Sequence, residues 1–227
     1  MWNLPAPPGF LGLDEHRPLR VYYRALPHWR QEGATYFTTF RLGDSIPDGR
    51  LRELTALRAQ WERLNPPPRS ESQWQQISHT TMVHIERWLD EGSGSCILQD
   101  LASSSVVEQK LKHFDGVQYE LGAYVIMPNH VHVLVRPYSD EHNPLESIVQ
   151  AWKANAAREI NLALGQSGQL WQHESFDRIV RDEEHLWRCL QYIGDNARRA
   201  NLAIDRIPRW INPKWTAAGW LFENLGT

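Results

Sequence analysis

The sequence predicts an α+β fold built on a ferredoxin-like antiparallel sheet, with extra helices and a final helix after the last strand. Residues 33–42 alternate polar and aromatic side chains, which is typical of a strand. Residues 118–137 form an apolar hairpin pattern that is interrupted by a proline-containing turn. A helical pattern at residues 144–164 then leads to a strand pattern at residues 176–181. The resulting order is strand, helices, strand, strand, helix, strand, helix, as in a ferredoxin-like sheet.

Three further helices are predicted between the first strand and the hairpin, as a helical insertion over about residues 48–114. Leucine and tryptophan recur at helical spacing in residues 48–64, and a run of three prolines then stops the helix. Residues 74–91 and 102–114 carry similar apolar stripes. The insertion therefore adds helices to the sheet rather than strands.

The two ends of the chain lie outside the predicted domain, which spans residues 21–202. Residues 1–20 are rich in proline and lack periodicity, which predicts an irregular N-terminal arm. Residues 203–227 receive no functional assignment and are treated as a C-terminal tail. The candidate functional residues accordingly fall between the two ends.

The composition is that of a globular protein, since 41% of the 227 residues are apolar and the formal net charge is −3. No run of about 18 apolar residues marks a membrane span, and the N-terminus lacks a signal-peptide pattern. We therefore expect a cytoplasmic protein with no membrane partner. Cys96 and Cys189 do not have the spacing of a zinc ribbon or a CxxC motif and are predicted to be reduced.

Two histidines lie in the most apolar segment of the chain, residues 124–137. In a strand, His130, His132 and Leu134 point to one face while the valines between them point to the other. Burying two imidazoles side by side is costly unless a partner binds both, which favours a metal site. The alternative is that each histidine is a half-buried polar residue that is satisfied by hydrogen bonds.

A second polar pair lies on the predicted helix at residues 182–196, where Tyr192 and Asn196 share a face at positions i and i+4. If this helix packs beside the histidine strand, the Asn196 carbonyl oxygen can bind the same metal ion as the two imidazoles. Three protein ligands leave coordination positions of the ion open for water and a phosphate oxygen. Tyrosine has a pKa of about 10, so a nucleophilic Tyr192 needs nearby positive charge or a base. The alternative is a tyrosine at a helix edge whose hydroxyl faces water.

Two blocks of the sequence resemble the REP-associated tyrosine transposases, a bacterial branch of the single-tyrosine transposases. Residues 127–134 read MPNHVHVL, which resembles the HUH (His-hydrophobic-His) motif of that family. Residues 178–184, RIVRDEE, together with residues 191–196, QYIGDN, resemble its C-terminal block. The resemblance covers about residues 33–202, and the predicted order of elements agrees with the ferredoxin-like HUH nuclease fold of the family.

This resemblance implies a metal-dependent tyrosine transposase. It implies that His130 and His132 bind a divalent ion, Mg²⁺ or Mn²⁺, that Asn196 is the third ligand, and that Tyr192 on a C-terminal catalytic helix attacks a DNA phosphate. The implied substrate is single-stranded DNA at palindromic, REP-like hairpins, which is cleaved and rejoined through a 5′-phosphotyrosine intermediate. We expect a monomer or a homodimer.

Basic residues near the two blocks predict the surface that contacts DNA phosphates. The predicted contacts are Lys153, Arg178, Arg181, Arg198 and Arg199. Residues 196–214 as a whole carry an excess of arginine and lysine over acidic residues. A net charge of −3 therefore leaves room for a local basic patch.

Three other classes of protein share part of this pattern. One is a domesticated hairpin-binding protein that no longer cuts DNA, because the family pattern NPVKAGL reads NARRANL here, with Ala197 and Asn201 at the proline and glycine positions. Another is a different HUH nuclease, a replication initiator or a relaxase, although such proteins often carry a second tyrosine. The third is a zinc hydrolase, for which no third histidine, cysteine or carboxylate has a familiar zinc spacing.

Overall fold

The predicted strands and helices are present in the predicted order, with two additional strands before them and a short strand and helix after them. The computed structural model describes residues 4–23, 27–139 and 141–223. The strands are β1 (Arg20–Tyr23), β2 (Pro27–Arg30), β3 (Tyr36–Arg41), β4 (Tyr119–Ile126), β5 (His130–Pro137), β6 (Phe176–Ile179) and β7 (Arg209–Ile211). The α-helices are α1 (Asp48–Leu64), α2 (Glu71–Asp90), α3 (Leu101–Lys112), α4 (Leu145–Ala163), α5 (Glu183–Arg199) and α6 (Pro213–Ala217). Short 3₁₀ turns lie at Ile97–Gln99 and Ile204–Arg206.

The main sheet has the strand order β6-β3-β5-β4-β7, and each neighbouring pair is antiparallel. The four strands of the β-α-β-β-α-β unit are β3, β4, β5 and β6 in chain order. In the sheet they lie in the order fourth, first, third, second, and β7 is added at the edge. The α+β, ferredoxin-like prediction is therefore confirmed. No helix in the described part of the chain combines the length and apolar character that crossing a bilayer requires.

The predicted hairpin is present, and it places the two histidines in the middle of the sheet. β4 and β5 are joined by a short turn that begins with a hydrogen bond from Met127 N to His130 O, at 2.9 Å. β5 pairs with β4 on one side and β3 on the other, so that His132 lies between Val125 and Thr39. Both histidines are buried, so their polar atoms must find partners inside the protein.

Helices cover both faces of the sheet. The valines of β5 at 131, 133 and 135 pack with α3 and α4 on one face. Leu134 packs on the opposite face with the apolar stripe of α5, which includes Leu186 and Leu190. Burial of a leucine of this kind contributes roughly 1.5–3 kcal/mol, so the stripe holds α5 firmly against the histidine side of the sheet.

The helical insertion agrees closely with the prediction except at the start of α2. The structure begins this helix at Glu71, where Ser70 forms a capping box with Gln73. The prediction began at residue 74 because it relied on the first apolar residue of the stripe, and the cap precedes that stripe by one turn. α1 begins and ends where the sequence predicts.

The segment treated as a C-terminal tail is part of the fold. β7 pairs with β4 at the edge of the sheet, and Trp215 and Trp220 are buried in the core beneath α5. Their indole nitrogens donate to the carbonyl oxygens of Pro8 and Pro5, each at 3.0 Å. The irregular N-terminal arm is thereby bound to the C-terminal segment, and no boundary at residue 202 separates that segment from the sheet.

The β1–β2 hairpin, which the sequence analysis did not predict, lies next to β6. Arg30 of this hairpin forms hydrogen bonds with both carboxylate oxygens of Asp177 on β6, and His28 Nδ1 lies 2.8 Å from Asp177 Oδ2. Arg30 Nε also donates to Glu146 at the start of α4, at 2.7 Å. This buried ionic cluster attaches the hairpin to both the sheet and a helix.

Candidate active site

The imidazoles of His130 and His132 face one another inside the protein, with their Nε2 atoms 3.0 Å apart. Their opposite nitrogens are also engaged. His130 Nδ1 lies 2.8 Å from Asn129 Oδ1, and His132 Nδ1 lies 2.7 Å from Thr39 Oγ1. Side chains of this kind behind a histidine fix its ring orientation and tautomer.

Asn129 determines which nitrogen of His130 carries the proton. Its Nδ2 donates to the carbonyl oxygens of Leu89 and Ser93, at 3.3 and 3.2 Å, so its Oδ1 must face His130. An amide oxygen only accepts hydrogen bonds, so His130 Nδ1 is the donor and Nε2 presents a lone pair. His132 Nε2 therefore donates to this lone pair, and His132 Nδ1 accepts from the Thr39 hydroxyl. Because a hydroxyl can also accept, His132 can change tautomer and present its own Nε2 lone pair when an ion binds.

Burial keeps both histidines neutral. Each is almost completely inaccessible to solvent. Desolvation lowers the pKa of His130 to about 3, against a smaller opposing effect of the nearby Asn196 amide, and it lowers the pKa of His132 well below its ordinary value. Neutral imidazole is the form that binds a metal ion, so the pair is ready to bind one at pH 7.

α5 brings Tyr192 and Asn196 to the same place, as the sequence analysis expected. The helix begins at an Asp182 cap whose side chain accepts a hydrogen bond from His185 N, at 2.7 Å. Further along the helix, the Tyr192 ring packs edge-on against His132, with ring centroids 5.1 Å apart. Asn196 follows at i+4 and is fully buried beside His130.

Several polar atoms at this site have no hydrogen-bond partner among the described residues. They are both amide atoms of Asn196 and the hydroxyl of Tyr192, none of which meets hydrogen-bond geometry. Asn196 nevertheless lies close enough to His130 and Tyr192 to influence the pKa of each. A buried polar atom without a partner costs roughly 1–3 kcal/mol, so their concentration next to two imidazole nitrogens is a feature that needs a cause. A divalent cation fits this donor set, because the Asn196 carbonyl oxygen and two Nε2 lone pairs are the kind of ligands that such an ion accepts.

The donor set differs from a typical structural zinc site. Within residues 4–23, 27–139 and 141–223, no three or more histidine, cysteine, aspartate or glutamate side chains form a group arranged to hold a metal. The candidate site therefore consists of two histidines and one asparagine amide. Such a set leaves further coordination positions for water or a substrate oxygen.

Two carboxylates of α2 also lie near Tyr192, and the sequence analysis did not single them out. One carboxylate oxygen of Glu86 and one of Asp90 are buried without a hydrogen-bond partner, and burial raises the pKa of both groups. Asp90 Oδ2 lies 3.5 Å from Arg199 Nη2. In the sequence, only their i, i+4 spacing beside the apolar stripe of α2 indicates that the two carboxylates could lie together inside the protein. Such a pattern more often marks a solvated face.

Arg199 links these carboxylates to the tyrosine. Its guanidinium carbon lies 4.6 Å from the centroid of the Tyr192 ring. Burial raises the pKa of Tyr192 above its ordinary value, and the charges of Glu86 and Asp90 raise it further, whereas Arg199 and the Asn196 amide oppose the rise. The tyrosine is therefore a neutral phenol in the resting protein.

The other predicted phosphate contacts have different surroundings. Arg178 is half-buried, with its guanidinium carbon 4.7 Å from the centroid of Phe37, and Arg181 is exposed. Arg198 is exposed and forms an ion pair with Asp195.

The prediction for Lys153 is wrong. The sequence analysis placed this residue off the apolar stripe of α4, but its side chain is buried. Its ammonium donates to His173 O at 2.8 Å and lies 3.4 Å from Ser175 Oγ. An ammonium that is buried and hydrogen-bonded in this way does not form part of an exposed phosphate-binding surface.

The exit from α5 keeps a regular geometry despite Ala197 and Asn201. Asn201 has a φ of +55°, in the left-handed region. Leu202 N donates to Ala197 O at 2.8 Å, and Asn201 N donates to Arg198 O at 2.9 Å, which are the two bonds of a Schellman motif. Asparagine tolerates this conformation better than most residues, so it serves where the family pattern has glycine.

The chain is similar to a protein of known structure. No protein-family model matches the sequence, and no curated protein matches it. The fold is similar to a solved structure that is described as a REP-associated tyrosine transposase bound to a REP hairpin, with a TM-score of 0.45 and 14% sequence identity. The match covers 84% of this chain and 76% of that chain.

Proposed function

We propose that the protein is a metal-dependent tyrosine transposase, which cleaves and rejoins single-stranded DNA at palindromic, REP-like hairpins through a 5′-phosphotyrosine intermediate. The observation that carries the proposal is the meeting of two sequence-distant pairs. α5 places Tyr192 and Asn196 against His130 and His132 in one buried centre. Both pairs belong to the blocks that resemble the single-tyrosine transposases.

Tyr192 is the proposed nucleophile. Its hydroxyl oxygen forms a bond to the scissile phosphorus, and the bond from phosphorus to the 3′ oxygen breaks. The phenol loses one proton and the departing 3′ oxygen gains one. Because the new bond to phosphorus replaces the one that breaks, the step needs no nucleotide cofactor. The covalent intermediate stores the phosphodiester bond until a second 3′-hydroxyl reverses the reaction at another site.

The surrounding residues hold the reacting groups in place. His130, His132 and Asn196 would hold Mg²⁺ or Mn²⁺, which supplies Lewis-acid stabilisation of the phosphate when bound. Phe37 and His132 pack against the Tyr192 ring with centroids 5.9 and 5.1 Å away, which limits its rotation. Arg199 lies over the same ring and favours the negative charge that the phenol oxygen gains as it attacks.

The proposed partner is single-stranded or hairpin DNA, and the phosphates would be contacted by the arginines at 178, 181, 198 and 199. Arg181, Arg198 and Arg199 are exposed, and Arg178 is half-buried next to Phe37. A binding protein that no longer cuts is the other candidate that the sequence analysis left open. The change from glycine to Asn201 was one reason to consider such a protein. Asn201 preserves the Schellman motif at the end of α5, so this reason no longer applies.

Formation of a covalent protein–DNA adduct tests this function. Labelled hairpin DNA with single-stranded flanks, taken from the palindromic repeats nearest the coding region, is incubated with the protein and Mg²⁺ or Mn²⁺, and adducts are separated under denaturing conditions. We expect adducts with the native protein and none with Tyr192→Phe or with a chelator. Tyr138→Phe is the matched control, because Tyr138 is exposed at the end of β5, and it should form adducts normally. Adducts that persist with Tyr192→Phe would show that another residue is the nucleophile.

A further inference from the structure

The C-terminal end of α2 reaches the candidate active site, although this helix belongs to the helical insertion rather than to the ferredoxin-like unit. Glu86 and Asp90 lie one turn apart and share a face of α2. Asp90 Oδ2 lies 3.5 Å from Arg199 Nη2, and the guanidinium carbon of Arg199 lies 4.6 Å from the centroid of the Tyr192 ring. The face of α2 that carries both carboxylates is therefore turned toward the proposed nucleophile.

Glu86 is an acidic residue whose carboxylate lacks the partners that burial normally requires. One of its carboxylate oxygens is buried and has no hydrogen-bond partner among the described residues. Arg178 on β6 and Arg199 on α5 act on its charge from a longer distance. A buried carboxylate without a hydrogen bond costs free energy, and groups that are retained at such a cost are concentrated at functional sites.

The hydroxyl of Tyr192 lacks a proton acceptor in the same region. It is buried without a hydrogen-bond partner among the described residues, and a phenol must lose its proton to attack phosphorus. Among the charged groups that shift the pKa of Tyr192, Glu86 has the largest effect, ahead of Asp90 and Arg199. The carboxylate of Glu86 is thus the base that acts most strongly on this hydroxyl.

The other bases near Tyr192 are already engaged. Asp90 is held by Arg199, as described above. The imidazole of His132 packs against the Tyr192 ring, but its Nδ1 lies 2.7 Å from Thr39 Oγ1, and its Nε2 is a proposed metal ligand. Glu86 therefore has the carboxylate oxygen that is free to accept a proton.

We propose that Glu86 is the proton acceptor for Tyr192, so that its carboxylate takes the phenol proton during cleavage and returns it during rejoining. This inference rests on the proposed function, because it takes Tyr192 as the nucleophile. It assigns a catalytic role to α2 and makes the helical insertion a part of the active site.

The proton transfers balance over one turnover. During cleavage, the Tyr192 oxygen bonds to phosphorus, the bond from phosphorus to the 3′ oxygen breaks, and Glu86 receives the phenol proton. The departing 3′ oxygen takes up a proton from solvent. During rejoining, the 3′ hydroxyl of the second strand loses its proton to solvent, and Glu86 protonates the departing phenol oxygen. Glu86 is then ionised again, and no further reactant is consumed.

The surroundings of Glu86 suit both directions of this transfer. Burial raises the pKa of Glu86 above its ordinary value, and Asp90 adds to the rise, whereas Arg178, Arg199 and His79 oppose it. A carboxyl group with a raised pKa is a stronger base when ionised and remains an acid that can return the proton.

Replacement of Glu86 by its neutral isostere tests the proposal. We expect Glu86→Gln to slow adduct formation on saturating labelled hairpin DNA at least about 100-fold, as loss of a general base predicts. Hairpin affinity, measured by fluorescence anisotropy in a Tyr192→Phe background, should not fall. Glu91→Gln is the matched control, because Glu91 is exposed at the end of the same helix, and it should form adducts at the native rate.

A more acidic phenol separates a proton acceptor from a structural residue. With 3,5-difluorotyrosine at position 192, the nucleophile needs less help from a base. We expect this replacement to raise the rate of Glu86→Gln at least about tenfold more than that of the native protein. Phe37→Leu, which loosens the packing of the Tyr192 ring, should gain no more than the native protein does. Thermal unfolding identifies any variant that fails to fold.

A native rate of adduct formation in Glu86→Gln would overturn the proposal, as would a slow rate that difluorotyrosine raises no more than in Phe37→Leu. Either result leaves the proposed function standing, because the native protein still forms adducts. The ¹⁹F resonance of the same difluorotyrosine, recorded without DNA, should move in Glu86→Gln and stay in place in Glu91→Gln. A ¹⁹F resonance that moves only in Glu86→Gln, in a protein that forms no adducts, would remove the transposase chemistry and support Glu86 as the carboxylate facing Tyr192.

Discussion

At the scale of single residues, the centre depends on side chains that hold the proposed ligands in position. Asn129 is the clearest case, because two backbone carbonyls fix its amide and its amide oxygen then fixes the His130 tautomer. The result is an Nε2 lone pair aimed at His132 and Asn196 from a ring that is buried in a central strand. A ligand held in this way loses little orientational freedom when an ion binds.

Replacement of Asn129 tests this role. Asn129→Ala removes the acceptor for His130 Nδ1, so the imidazole is free to change tautomer or rotate. We expect Mn²⁺ affinity, measured by isothermal titration calorimetry, to fall about 10–100-fold. Asn155→Ala on the exposed face of α4 is the matched control and should bind Mn²⁺ like the native protein. Equal affinity in the two variants would mean that Asn129 does not support the site.

Regular periods predict that the two members of each pair share a face, and the resemblance to the transposase blocks predicts that the two pairs act together. A spacing of two in a strand and of four in a helix determines which side chains share a face, whatever the rest of the fold does. Glu86 and Asp90 could not be predicted in the same way, since a carboxylate on a helix shows its burial only when the neighbouring elements are known. Lys153 was misjudged for the same reason.

At the scale of elements, α5 carries both the proposed nucleophile and the proposed third ligand, and its C-terminal exit depends on Asn201. That residue adopts a left-handed conformation and completes the Schellman motif. A residue other than glycine, asparagine or aspartate pays about 1–2 kcal/mol in this conformation. The departure from glycine at this position is therefore compatible with a stable helix end.

Two substitutions at Asn201 test the helix exit. Asn201→Ala should lower the free energy of unfolding by about 1 kcal/mol, because alanine disfavours a positive φ. Asn201→Gly should leave it within about 0.5 kcal/mol of the native value, since glycine adopts this conformation without strain. Urea denaturation measures both. If alanine is tolerated as well as glycine, the left-handed conformation does not limit stability.

The attachment of the β1–β2 hairpin to β6 predicts a pH dependence of stability. Burial alone would raise the pKa of Asp177, but the hydrogen bond to His28 and the charge of Arg30 outweigh it and hold the pKa below its ordinary value. A carboxylate with a lowered folded-state pKa stabilises the protein above its unfolded pKa of about 3.9, and this contribution is lost as the pH falls toward the folded pKa.

Asp177→Asn should therefore destabilise the protein by about 3–5 kcal/mol at neutral pH, since it leaves a buried arginine with less negative charge. The difference between the free energies of unfolding of the native protein and the variant should be constant above about pH 5 and should become smaller below about pH 4. Urea denaturation over this range measures it. Asp195→Asn, in a more exposed ion pair with Arg198, should cost less than about 1 kcal/mol. If the difference for Asp177→Asn does not become smaller in acid, the pKa of Asp177 is not lowered in the folded protein.

The elements that could be predicted are those with long periodic patterns. The β4–β5 hairpin and α4 were placed within a residue or two because their apolar residues repeat over many positions. β7 has only three residues and gives no periodic signal, and its place at the sheet edge depends on pairing with β4. β1 and β2 are also short, and their position depends on the ionic cluster at Asp177.

At the scale of the whole molecule, the site is a junction of three parts of the chain. β5 supplies the histidines, α5 supplies Tyr192 and Asn196, and α2 supplies the buried carboxylates beside Arg199. The two ends of the chain meet beneath α5, where Trp215 and Trp220 donate to the N-terminal arm. The helix is therefore packed on the sheet by core residues from distant parts of the sequence.

The proposed function requires that DNA becomes covalently joined to Tyr192 in this centre. Adducts formed with Mg²⁺ or Mn²⁺ are digested with nuclease and trypsin, and the modified peptide is sequenced by mass spectrometry. Cleavage after Arg188 and Arg198 yields the peptide of residues 189–198, in which Tyr192 is the only tyrosine. We predict a nucleotide attached through its 5′ phosphate to that tyrosine. A nucleotide on any other peptide, or no adduct with either ion, would contradict it.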